Sequence, residues 1–209
     1  MTNVDYAELR EAANIPLARL HRISLEQYDR LLTGLLATPS GGLFPVLFAS
    51  AMFAAINAFF QLNWEIASQG INVADAASGA GGDITIKSDG KVVLAVEVTE
   101  RSVDRSRVIS TFNTKISPAG IEDYLFFVGS AGATTDAKVQ AQQYFAQGHE
   151  VNFVNIKEWI LMILATMGMR GRELFNRELM QLMDAGGIPQ ALKVSWNENI
   201  NTLLVNNSL

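Results

Sequence analysis

The run LFPVLFASAMFAAINAFF, residues 43–60, contains no charged side chain. A helix of that length and composition can cross a bilayer or lie wholly inside a protein core, and few other solutions are open to it. Ser50, Asn57, Gln61, Glu65 and Ser68 recur at helical spacing within and beyond it. They predict one polar stripe on a helix running from about residue 45 to 69 and ending at Gly70. Lipid would surround a lone span on every side, so the stripe favours a core helix, with a membrane anchor as the alternative.

Bulk composition supports the core reading. The chain has 209 residues, of which 49% are hydrophobic and 18% charged, enough for one substantial core and too apolar for a disordered chain. A single domain is expected over 1–209, with N-terminal helices in 1–42, a central unit in 43–156 and a helical extension in 157–209. The leader MTNVDYAELREAAN lacks the features of a secretory or transit peptide, which makes the cytoplasm the expected compartment. There is no cysteine, and His21 and His149 are too far apart in sequence to suggest a zinc site. Any metal must be held by oxygen ligands, which selects Mg²⁺, Mn²⁺ or Ca²⁺. A net charge of -5 argues against a non-specific polyanion binder while leaving room for a local basic patch.

Along the chain, amphipathic helices are expected over 4–37, broken near Asn14-Ile15-Pro16 and stopped by TPSGG. After the flexible stretch NVADAASGAGG come two β-runs, DITIKS and KVVLAVEVT. ERSVDRSRVISTFNTKI has helical potential, DYLFFVGS and VNFVNI read as buried strands, and TTDAKVQAQQYFAQG reads as the capped helix between them. KEWILMILATMG, RELFNRELMQLMDAGG and residues 189–205 are expected to be helices. Residues 45–156 thus run α, β, β, β, α, β, with a helical insert before the third strand. The expected class is α/β (α+β), a mixed sheet flanked by helices.

Glu97 is an acid in the middle of an apolar strand, and the hairpin register decides where it points. A three-residue loop, Ser88-Asp89-Gly90, with Gly90 left-handed before a bulge, puts Ile84 and Ile86 on one face with Val92, Leu94, Val96 and Val98. Asp83, Thr85 and Lys87 then share the other face with Val93, Ala95, Glu97 and Thr99. A two-residue Asp89-Gly90 loop mixes the sets and separates the acids. The apolar pattern selects the first register, which sets Asp83 across from Ala95 and diagonal to Glu97, within reach of one hard cation. The bland alternative is a strand-start and a strand-end charge reaching solvent.

With these residues in view, the αβββαβ order resembles the PD-(D/E)XK nuclease superfamily, the restriction-endonuclease fold. More narrowly, NVADAASGAGGDITI followed by LAVEVTERSVD resembles the catalytic region of type II restriction endonucleases of the SacI kind. The resemblance implies a metal-dependent DNA endonuclease with Mg²⁺, replaceable by Mn²⁺, held by Asp83 and Glu97. Glu65 on the preceding helix would be the accessory acid. It also implies double-stranded DNA as substrate and a homodimer, the late helices offering the dimer surface. The family's usual lysine is replaced by Thr99, a hydroxyl contact at most, with Lys115 or Arg101 as candidates for the missing charge. Arg101, Arg105 and Arg107 are candidate phosphate contacts, the first two on one helical face. Met169-Arg170-Gly171-Arg172 is a weaker basic spot. Loss of either acid is expected to leave folding intact, because an empty acidic site repels itself. The missing lysine also leaves open a catalytically degenerate DNA- or protein-binding module on the same fold.

Overall fold

The computed structural model describes residues 15–20, 22–69, 81–184 and 188–205. Helices expected over 4–14 and the linker at 72–80 lie outside the described residues. Helix α1 spans Leu25–Ala37 and α2 Leu43–Phe60, followed by strand β1, Glu65–Ser68. The hairpin is β2, Ile84–Ser88, and β3, Lys91–Thr99. Helix α3, Arg105–Thr111, runs on through a π-helical turn, Phe112–Ile116, before β4, Asp123–Val128. Then come α4, Thr135–Phe145, β5, Glu150–Asn155, α5, Ile156–Asp184, and α6, Gln190–Val205. Helix α5 holds both of the expected units, separated at Gly168, whose backbone leaves the helical region (φ 64, ψ -151).

The five strands form one mixed sheet in the order β1-β2-β3-β4-β5, antiparallel from β1 to β3 and parallel from β3 to β5. Two cores cover its faces. Ile84, Ile86, Val96 and Phe127 point into a core shared with α1, α2, α5 and α6. Ala95, Tyr124, Phe126 and Val151 point into a smaller one under α3 and α4. This is the α+β class expected from the sequence.

The apolar run is a core helix, with Phe44, Leu47, Phe48, Ala51 and Met52 all buried, the usual place for a helix apolar all round. It ends earlier than expected. Gln61 (φ 57) and Asn63 (φ 56) turn left-handed after Phe60, so Glu65 and Ser68 belong to β1 rather than to the helix. The polar stripe has a different purpose. The Asn57 amide donates to the Trp64 carbonyl and accepts its N–H, both at 3.0 Å, and the Ser50 and Ser68 hydroxyls are 2.7 Å apart. These contacts fold the chain back so that β1 lies along β2.

From Leu94 onward the hairpin reaches the expected facing by another route, whereas Val92, expected on the Ile84 face, pairs with Lys87 and packs into the smaller core instead. Its turn is the two-residue Asp89-Gly90, with both residues left-handed (φ 51 and 75), the type I′ geometry suited to a twisted hairpin. Alone, that turn would separate the acids. Ile86 pairs with Leu94 and Lys87 with Val92, leaving Val93 as an extra residue whose bulge restores the parity of the strand. Ile84 therefore pairs with Val96, and the same register carried one step further sets Asp83 opposite Glu97 rather than diagonal to it.

Candidate functional site

The Gly-Gly step explains how Asp83 reaches its place. A Cβ on Gly82 would meet the Val96 carbonyl oxygen at 2.3 Å, so only glycine lets the chain cross β3 this closely. Asp83 Oδ2 then accepts the Val98 N–H at 2.7 Å. Beside it, Glu97 is buried and its carboxylate receives four donors. Oε1 accepts from Arg107 Nε at 3.1 Å and Nη2 at 2.6 Å; Oε2 accepts from Lys115 Nζ and the Tyr124 hydroxyl, each at 2.9 Å. The remaining Arg107 nitrogen, Nη1, donates to Thr99 Oγ1 at 2.8 Å.

Elements far apart in sequence supply these donors. Asp104 caps α3 by accepting the Arg107 N–H at 2.8 Å, which fixes the first turn and aims Arg107 back at β3. Lys115 lies in the π-helical turn, a local widening that re-aims side chains and is frequent at functional sites. Tyr124 comes from β4, where Glu97 pairs with its second neighbour Phe126. Tyr124 is fully buried apart from this cluster, and burial together with the Glu97 charge pushes its phenol far up.

The two acids differ electrostatically. Burial alone would raise Glu97, yet its bonds to Lys115, Arg107 and Tyr124 outweigh this and hold the carboxyl below its ordinary value. Asp83 is pushed up, first by burial and further by the neighbouring Glu97 charge, against the pull of the Val98 N–H. In formal charge the pairs Asp83–Glu97 and Arg107–Lys115 cancel.

Several sequence-predicted residues meet here and others do not. Asp83, Glu97, Thr99, Lys115 and Arg107 share one face, although Arg107 spends its guanidinium on Glu97 and Thr99. Glu65 is exposed and pairs with Lys87, at the far end of β2 from Asp83, roughly 13 Å away at the usual strand rise. Its proposed role as accessory acid fails because the helix that was to carry it stops at Phe60. Arg101 precedes α3, so it shares no helical face with Arg105; it is exposed, and its backbone N–H reaches Thr99 Oγ1 at 3.2 Å. Arg105 Nε donates to Gln140 Oε1 at 3.0 Å. Arg170 lies over the Phe59 ring, and Arg172 lines a separate cleft with Arg19, Arg22 and Tyr28, on the opposite side of the sheet. Tyr124 was missed: it opens the apolar strand run Leu125–Val128, which gives no hint of a polar partner for its hydroxyl.

A family model described as SacI restriction endonuclease C-terminal domain matches residues 22–130, just over half of the chain and every member of the cluster. The chain belongs to this restriction endonuclease family. No curated protein matches it. Membership in the SacI C-terminal domain family implies DNA binding.

Among the described residues no group of three carboxylate or imidazole side chains comes together, so Asp83 and Glu97 stand alone as ligands for a hard cation. Asp83 suits the role by its chemistry, as a half-buried carboxylate short of positive compensation. All four acceptor positions on Glu97 are filled, so it can ligate directly only by releasing a donor, or otherwise through water. Mg²⁺ commonly takes one or two carboxylates and keeps several waters, and the pair fits it on those terms.

Proposed function

We propose that the chain is a DNA endonuclease of type II restriction kind that hydrolyses phosphodiester bonds at the Asp83–Glu97 cluster, within the PD-(D/E)XK superfamily. The observation that carries this is the convergence of both acids with Arg107 and Lys115 on one face of β2 and β3, in a chain of a restriction endonuclease family. Asp83, with Glu97, would hold Mg²⁺ or Mn²⁺. Such an ion lowers the pKa of water and offsets charge on the phosphate oxygens. Because the four side chains cancel in charge, a divalent ion leaves the site positive, matched to a reaction that gathers negative charge. Lys115 and Arg107 take the part of the lysine absent at Thr99. Lys115, released from Glu97, can reach a phosphate oxygen, while Arg107 keeps Glu97 and Thr99 in register. Exposed Arg101 and Arg105 supply backbone contacts to double-stranded DNA. A homodimer would give each strand its own cut.

Plasmid DNA incubated with the protein and Mg²⁺ should be converted to discrete linear products, and EDTA should prevent this. The filled acceptor positions of Glu97 favour a second reading, a binding module without catalysis. Under that reading DNA is retarded on gels and never cut with Mg²⁺ or Mn²⁺.

A further inference from the structure

The parallel strands β3, β4 and β5 all end at one side of the sheet, and a cleft of about 410 Å³ opens there against α1 and the start of α5. Open α/β sheets bind ligands beyond the carboxyl ends of their strands, and this volume lies within the range of small-molecule pockets. Thr99 joins the cleft to the catalytic cluster, since it lines the cleft and its hydroxyl accepts from Arg107.

The lining has two characters. Leu36, Pro45, Val98 and Ile156 form apolar walls, suited to the faces of a flat ring. At the mouth, the Glu100 carboxylate and the Ser130 hydroxyl take no side-chain hydrogen bond from the described residues. A carboxylate so placed can accept from an exocyclic amino group, as acids do with cytosine. Lys157 Nζ stands at the rim, paired with Asp29 Oδ1 at 3.0 Å and bonded to Thr33 Oγ1 at 3.2 Å, which leaves one ammonium N–H for a phosphate entering the mouth.

We infer that this cleft receives a single nucleotide unit of the substrate strand, taken out of the base stack beside the bond to be cut. The assignment rests on the nuclease reading for its substrate, and on the cleft alone for its nucleotide chemistry. Extruding a base sacrifices stacking and pairing, to be offset by the apolar walls and the Glu100 contact.

Ala37 is exposed at the cleft and outside both cores, so Ala37→Trp can plug it without disturbing the fold. Saturation-transfer NMR with the four deoxynucleoside monophosphates probes the cleft without requiring cleavage. Transfer to base protons in the wild type and its loss in Ala37→Trp, at unchanged melting temperature, supports the inference. No transfer at millimolar nucleotide, or equal transfer in both proteins, overturns it. The second arm is single-turnover cleavage. A slowing of tenfold or more in Ala37→Trp supports capture from the substrate strand, and an unchanged rate overturns that source. A wild type that binds mononucleotides at the cleft yet cuts no DNA sinks the nuclease reading and leaves the nucleotide site standing.

Discussion

Glu97 and Asp83 are neighbouring acids with opposite effects on stability. Glu97 is held below its ordinary value, so it contributes stability above the unfolded carboxylate range, and that contribution is lost as pH falls through its lowered folded value. Asp83 is raised, so its ionisation weakens the fold once pH exceeds the unfolded value of about 4. The expectation that loss of either acid leaves folding intact is therefore kept for Asp83 and withdrawn for Glu97. At pH 7, Asp83→Asn should match or exceed the wild-type melting temperature, any gain vanishing below about pH 4. Glu97→Gln should lower stability by about 1–3 kcal/mol, a range reduced because Arg107 and Lys115 are each about a third exposed. Thermal melts across pH 3–8 check both signs. Tyr124→Phe removes one of four donors and should cost about 1 kcal/mol. If the hydroxyl positions Glu97, the same change should raise the lower pKa of the cleavage rate profile, whereas a purely structural role leaves that profile in place.

At the scale of elements, what the sequence made legible was mainly local. The strands at 123–128 and 150–155, the helix between them and the break at Gly168 followed from apolar runs, caps and glycines. The α2–β1 boundary did not, because Ser50, Asn57, Gln61, Glu65 and Ser68 happen to keep helical spacing across a change of structure. Two left-handed residues, Gln61 and Asn63, make that change, and neither is a glycine. Asn57→Ala deletes both bonds to Trp64 and should destabilise the protein by about 1–3 kcal/mol, measured by urea unfolding; an unchanged midpoint would contradict the clamp. The hairpin shows a complementary case. From Leu94 onward its facing was legible from the pattern of apolar residues, while its turn and the side of Val92 were not, since a two-residue turn plus a bulge at Val93 gives the same facing beyond the bulge as a three-residue loop. Gly82→Ala forces a Cβ onto the Val96 carbonyl and should cost about 1–3 kcal/mol, and it should reduce cleavage beyond its effect on the melting temperature because Asp83 moves with it.

Across the whole molecule, the sheet separates a large helical core from the smaller layer that carries Arg107 and Lys115. The acids could be placed on one face from the β-hairpin alone, because alternation is a local rule. The cations and Tyr124 could not, because their meeting depends on parallel pairing of β3 with β4 and on the path of α3 between them. Glu65 was misplaced for a local reason, a helix that ends before reaching it. The proposed hydrolytic centre is Asp83 with Glu97, and Asp83→Asn probes it most directly because the change is expected to spare the fold. Single-turnover cleavage of DNA in Mg²⁺ should fall by about a thousandfold or more in Asp83→Asn, on the scale of losing a principal electrostatic group, with the melting temperature kept. Cleavage by Asp83→Asn at the wild-type rate would contradict it.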